Sequence, residues 1–181
     1  VASFKQVAAD QSSSQRRVFL LEEVVDEIVL TVRPLLKRGD VAISVDVAQG
    51  LSMDSFPGPF GQVITNLISN AVTHAFEDCD DRRVTIAATP DGDEAVCITL
   101  ADNGNGIPDT LLPRIFDPFV TTRMGRGGVG LGLHICHNLV MQMLGGRITV
   151  ASTPGVGTTF TLTLPTCAPA PSAANEQSAH A

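Results

Sequence analysis

A chain of 181 residues, 44% hydrophobic and 17% charged, is long enough for one well-buried domain with tails, too short for two large ones, and not disordered throughout. It has no Trp or Tyr and only eight Phe, so its core is expected to be aliphatic. The net charge of -7 comes without a dense basic patch, which argues against nucleic-acid and membrane-surface binding; an anionic ligand would have to be held locally, by backbone amides or a few cations.

Val1, Phe4 and Val7/Ala8 have helical spacing, so residues 1–14 read as the last turns of a longer helix, broken by Ser12-Ser13-Ser14. Arg17 to Leu21 reads as a short strand. Apolar residues at 24/25, 28/29, 32 and 35/36 predict an amphipathic helix over Glu22 to Lys37 that ends near Gly39, with Pro34 kinking it or tightening its last turn. Val41 to Val47 alternates with period two, a strand with one wet face. Pro57 to Pro59 reads as a turn before a long helix from about Phe60 to Phe76. Strands follow at Arg83–Ala88 and Ala95–Ala101, joined by the hairpin signal Pro90-Asp91-Gly92-Asp93. A loop-rich region leads into a helix from Val129 to about Leu144, stopped by Gly145-Gly146. Arg147–Ser152 and Thr158–Leu164 form a last hairpin.

The domain is placed at residues 15–166, with a disordered Ala/Pro/Ser/Gln tail at 167–181. Three helices segregated against a mixed, mainly antiparallel sheet make an α+β fold, a two-layer α/β sandwich. The four cysteines show neither CxxC spacing nor a paired framework, which suits a reducing cytosol. No apolar run approaches the ~20 residues of a membrane span, and no signal peptide is recognisable. The chain starts at Val1 rather than Met and reads as a piece of a longer protein, whose membrane anchoring is left open.

Asn66 and Asn70 are four apart, so both amides project from one helix face, opposite Val63, Ile64, Leu67, Ile68 and Ala71. Asn is a mediocre helix former, and an amide carbonyl is a suitable hard ligand for Mg²⁺. His74 is four residues further on. Asp102 ends an apolar strand, where its carboxylate can accept a hydrogen bond from an exocyclic amine. Gly104 and Gly106 would allow positive φ and close approach of backbone to a flat base. Five glycines in the eight positions Gly125 to Gly132 precede a helix, whose N-terminal amides suit phosphate oxygens. The run lacks the Gly-Lys-Ser/Thr ending of a P-loop, and no parallel βαβ pattern makes it a Rossmann site.

In order, these motifs are Asn66-Leu67-Ile68-Ser69-Asn70-Ala71, Asp102-Asn103-Gly104-Asn105-Gly106-Ile107, Phe116-Asp117-Pro118-Phe119, Gly128-Val129-Gly130-Leu131-Gly132-Leu133 and Gly157-Thr158-Thr159-Phe160. Over roughly positions 18 to 165 the set resembles the ATP-binding catalytic domain of two-component sensor histidine kinases, in the ATPase family shared with DNA gyrase. The resemblance implies ATP and Mg²⁺ as ligands. It makes Asn70 the metal ligand and puts Asp102 on the adenine amino group, with Thr158 beside the base. Asn66 is assigned a catalytic and nucleotide-facing position, where hydrolytic relatives carry a water-activating Glu. An amide cannot be a general base, which fits transfer to a partner rather than hydrolysis. His74 is placed near the phosphates, as are Thr121, Thr122 and Arg123 on a lid over the nucleotide. Ile107, Gly128, Gly130, Leu131, Gly132 and Leu133 complete the nucleotide-binding set.

The implied activity is transfer of the γ-phosphoryl group to a His on a dimerisation domain absent from this chain, with a response regulator downstream. The fragment is expected to be monomeric and cytoplasmic, and the parent protein a homodimer. The Phe116/Phe119 pair reads either as packing within the domain or as docking onto the dimerisation helices. An anti-sigma-type serine kinase and a nucleotide-gated binding module remain open as other users of the same site. A gyrase-like hydrolase is disfavoured by Asn66. A metal pair at His134 and His137 lacks a third ligand, and half-buried histidines are the expectation there.

Overall fold

The computed structural model describes residues 15–120 and 130–170. The helical remnant expected at 1–14, the lid residues Thr121, Thr122, Arg123 and Gly128, and most of the tail lie outside the described residues.

Strand β1 (Arg17–Leu20) runs directly into helix α1 (Leu21–Gly39). Leu21, Val24, Val25, Ile28, Val32 and Leu36 form its buried stripe, with Glu22 and Glu23 in the first turn and Lys37 and Arg38 in the last, as the helix dipole favours. The left-handed cap falls on Asp40 (φ 50°), whose N–H reaches the carbonyls of Leu36 and Lys37. Gly39 serves a different need. A β-carbon there would come within 2.7 Å of Val72 Cγ1, so the glycine lets α1 close on the segment that follows α2.

The main sheet has the order β2 (Ala42–Val47), β4 (Arg83–Pro90), β5 (Ala95–Asp102), β7 (Gly157–Pro165) and β6 (Arg147–Thr153). Only β2 and β4 pair in parallel; the other neighbours are antiparallel. The mixed, mainly antiparallel two-layer sandwich is as expected. Strict alternation puts Val84, Ile86, Ala88, Val96, Ile98, Leu100, Phe160, Leu162 and Leu164 on the helix side, where all are buried. Helix α2 (Pro57–Asn70) adds Phe60, Val63, Ile64, Leu67 and Ile68, and helix α3 (Gly132–Asn138) adds Cys136.

Four local features depart from the sequence reading. Strand β3 (Ser52–Ser55) pairs antiparallel with β1 and was not foreseen, because Ser-Met-Asp-Ser offers one apolar residue and no alternation. Pro57 and Pro59 open α2 rather than forming a turn before it: proline is tolerated in the first helical turn, where the N–H would be unpaired anyway. The long second helix changes character after Asn70, since Ala71–Ala75 is a π-helical turn. The helix expected from Val129 begins only at Gly132, because Gly130 is left-handed (φ 70°); it passes into a second π turn at Leu139–Met143 before Gly145 (φ 70°) ends it.

The packed chain also runs past the boundary expected at residue 166. Asp54 bonds to Thr166 and Ala168 through its backbone, and Ala168 is buried. Arg16 holds both Asp54 oxygens at 2.9 Å and lies 3.0 Å from Cys167 Sγ. The Arg16 guanidinium holds the Asp54 carboxyl below its usual range.

Candidate functional site

The fold brings the end of α2, the end of β5, the start of β7 and the start of α3 to one corner. Asp102, the last residue of β5, is half-buried there. Its Oδ1 accepts the backbone N–H of Gly104 (2.9 Å) and of Thr158 (3.3 Å). Both amides address the same oxygen, which leaves Oδ2 as the atom able to take a donor from outside. Burial raises the Asp102 pKa above the ordinary carboxylate range, and the two amides oppose that rise.

Ser152, which the sequence reading did not single out, organises this corner. Its hydroxyl accepts from Ile107 N–H at 2.8 Å and donates to the Gly157 carbonyl at 3.0 Å. A serine has one hydrogen, so at 2.9 Å from Thr158 Oγ1 it must accept there and Thr158 must donate. The β6–β7 hairpin register sets Ser152 opposite Thr158. That register is the signal by which the sequence could have yielded it. Ile107 and the buried Thr158 are thus tied to Asp102 through one small network.

The glycines divide between two tasks. Gly106 is left-handed (φ 71°), as expected, and packs against the carbonyl of Thr153. Gly104 is not among the positive-φ glycines. A β-carbon on it would lie 2.6 Å from Ala75 Cβ, so this glycine serves contact with the π turn rather than a left-handed bend. Asn105 N–H bonds to the Ala75 carbonyl at 2.7 Å, and its side chain bonds to the carbonyl of Glu77. Asn103 bridges Arg83 N–H and the Asp81 carbonyl. These two asparagines, also unforeseen, clip the loop after Asp102 to the segment after α2.

On α2, Asn66 and Asn70 are half-buried. Asn70 faces the start of α3: a β-carbon on Gly132 would lie 3.8 Å from Asn70 Oδ1. On the facing helix, Cys136 Sγ donates to the Val63 carbonyl at 3.7 Å, and burial pushes the Cys136 thiol up to about 11. His74 is half-buried in the π turn that follows Asn70.

Phe119 N–H bonds to the Gly130 carbonyl at 2.9 Å, pinning together the two flanks of residues 121–129. Leu131 and Leu133 are half-buried beside Gly132. His134 is bonded at both ring nitrogens: Asn138 Nδ2 donates to Nε2, so Nδ1–H donates to the Phe116 carbonyl. His137 packs its ring on Phe116, centroids 5.4 Å apart. Phe116 therefore packs within the domain, while Phe119 is 64% exposed. Neither nitrogen of His134 is free for a metal, and among the described residues no three His, Cys, Asp or Glu side chains gather into a metal site.

Fold and site together define an ATPase-type α+β sandwich. The profile of the histidine kinase-, DNA gyrase B-, and HSP90-like ATPase family matches residues 57–168, which include every described site residue. The chain belongs to this family. It is 35% identical over 173 residues to the sensor histidine kinase RcsC of Escherichia coli (strain K12), covering 91% of this chain and 17% of that protein. It is 38% identical over 147 residues to the sensor protein TorS of the same organism, covering 80% of this chain and 15% of that one. Among solved structures, the catalytic domain of histidine kinase ThkA superposes with a TM-score of 0.73 at 25% identity, covering 84% of this chain and 97% of that chain. The chain thus spans about a sixth of the length of these curated relatives and aligns with the catalytic domain of a histidine kinase.

Proposed function

We propose that this domain binds Mg-ATP and delivers its γ-phosphoryl group to a histidine on a separate helical dimerisation domain, within two-component signal transduction. The observation that carries the reading is Asp102: two backbone amides fix one carboxylate oxygen and leave the other able to take a donor. A carboxylate so fixed selects a base with an exocyclic amine over one with a carbonyl at that position. Gly104, Gly106 and Ile107 line the approach, and Thr158 stands beside it.

The donor set fits Mg²⁺. One amide carbonyl, from Asn70, suits an ion that keeps most of its waters and takes phosphate oxygens for the rest. When bound, the ion neutralises charge on the triphosphate. Gly130 and Gly132 leave the first amides of α3 uncovered for phosphate oxygens, with Thr121, Thr122, Arg123 and Gly128 proposed to close over them. Asn66 cannot remove a proton from water, so the position that carries Glu in hydrolytic relatives supplies no base here, which favours transfer to an external nucleophile.

The dimerisation domain, the downstream response regulator and a homodimeric parent belong to this proposal, as does a cytoplasmic location. Among the described residues no helix is long and apolar enough to cross a membrane.

Calorimetry with Mg-ADP and a non-hydrolysable ATP analogue tests the assignment. Asp102→Asn is expected to abolish binding with or without Mg²⁺. Asn70→Ala is expected to weaken it about ten-fold only when Mg²⁺ is present, a loss of the size of one charge-assisted contact. An equal loss from Asn70→Ala in both conditions removes the ligand assignment. Incubated alone with labelled ATP, the domain is expected to be inert; with its dimerisation domain in trans, acid-labile phosphate should appear on that partner. Rapid ATP turnover by the isolated domain would favour the hydrolase instead.

A further inference from the structure

Asp102, Thr158 and Ser152 stand in one row across the end of an otherwise apolar sheet face. The registers pair Asp102 with Thr158 and Thr158 with Ser152, with Val84 next to Asp102 on the other side. Residues paired across strands share a face, and this is the face on which Val84, Leu100 and Phe160 are buried. Thr158 is itself buried, so its hydroxyl has to be satisfied inside the protein.

The placing of the hydrogens in this row is determined at both ends. Ile107 N–H can only donate to Ser152 Oγ, at 2.8 Å, and the Gly157 carbonyl can only accept from it, at 3.0 Å. Ser152 thus gives its one hydrogen to Gly157, and Thr158 gives its own to Ser152 at 2.9 Å. What remains on Thr158 Oγ1 is lone pairs. In the Asp102 carboxylate beside it, Oδ1 is taken by two backbone amides and Oδ2 is an acceptor as well. Asp102 and Thr158 therefore meet an incoming group as two acceptors and no donor.

We propose that Ser152 is a positioning residue for base selection: by holding the Thr158 hydroxyl hydrogen it makes Thr158 an obligate acceptor beside Asp102. The pair then receives the two amine hydrogens of a 6-amino purine, directly or through a water, and turns away a 6-oxo purine. The inference rests on the nucleotide-site reading above and adds a second acceptor to the one Asp102 supplies. A threonine hydroxyl left free would rotate and donate to a 6-carbonyl as readily as it accepts from an amine. Ser152 stands one strand beyond Thr158, on β6, and acts through it.

Calorimetry on the whole chain with Mg-ADP and Mg-IDP, whose bases carry an amine and a carbonyl at the same position, tests this. In Ser152→Ala the ratio of the two affinities should fall about three- to ten-fold, the range for one hydrogen bond, whereas a merely structural loss would weaken both and leave the ratio alone. Ser152→Thr, which keeps the hydroxyl, should restore the ratio. In a Thr158→Val background, Ser152→Ala should change it less than about two-fold. In the nucleotide-free protein, the Thr158 hydroxyl proton should give a slowly exchanging resonance, lost in Ser152→Ala and kept in Ser152→Thr. An unchanged ratio in Ser152→Ala, an undiminished change in the Thr158→Val background, or no protected hydroxyl proton in the parent protein would overturn the proposal. A protein that binds neither nucleotide sinks the functional reading instead, and the hydroxyl resonance still decides whether Ser152 holds the Thr158 hydrogen.

Discussion

Asp102 is a charge held where the fold alone would not choose one. Burial raises its pKa above the unfolded value, so the stability linked to it is complete below the unfolded pKa and is lost as pH rises through the folded one. At neutral pH the ionised group costs the empty domain stability. Asp102→Asn, which can still accept from Gly104 and Thr158, should therefore raise the melting temperature of the nucleotide-free protein while removing adenine binding. A lower melting temperature would mean that the two amide bonds outweigh desolvation. Cys136 makes the same argument at the alkaline end. Its thiol is raised from 9.0 to about 11, so its contribution is intact below pH 9 and fades between 9 and about 11. Urea melts across that window should show a decline that Cys136→Val lessens.

At the scale of elements, the corner holds together through loops clipped to the π turn after α2. Gly104→Ala would drive a β-carbon into Ala75, where part of the obstacle is backbone and cannot swing aside. A loss of about 1–3 kcal/mol, the usual range for overpacking, is expected in denaturant melts, with weaker nucleotide binding alongside. Ser152→Ala should cost about 1–3 kcal/mol, because the Ile107 N–H and the Thr158 hydroxyl both lose an acceptor. A neutral Ser152→Ala would show that water replaces the hydroxyl.

The sequence already displayed much of this arrangement. Strands β4, β5 and β7 were expected close to where they lie, and the glycines at 145 and 146 stopped the last helix correctly. What escaped was set by contacts distant in sequence. Strand β3 exists because β1 lies beside it and Asp54 meets Arg16, not because Ser-Met-Asp-Ser favours a strand. The π turn at 71–75 follows an α-helix with no break in apolar character, so periodicity gave no warning of it. In the site, Asp102, Gly106 and Thr158 were visible as motif residues. Ser152 and Cys136 were not, since each matters through a partner that only the β6–β7 register or the α2–α3 contact reveals.

Among the described residues, three helices close one face of the main sheet, and the segments just before β1 and just after β7 meet at one place. Arg16, just before β1, and Cys167, just after β7, lie within 3.0 Å of one another through their side chains, and Asp54 of β3 holds the first directly. The Asp54 carboxyl is lowered by Arg16, so this clamp is complete above the unfolded carboxylate pKa and is lost as pH falls through the folded one. The two ends of the fold can therefore be spliced to each other as readily as to anything else. A circular permutant that joins residues 15 and 170 by a glycine-serine linker, and is opened between Gly92 and Asp93 in the exposed β4–β5 turn, should keep its fold and its nucleotide affinity. Carrying Asp54→Asn, the permutant should melt no lower than the same permutant with Asp54, because the linker has taken over the task of the ion pair.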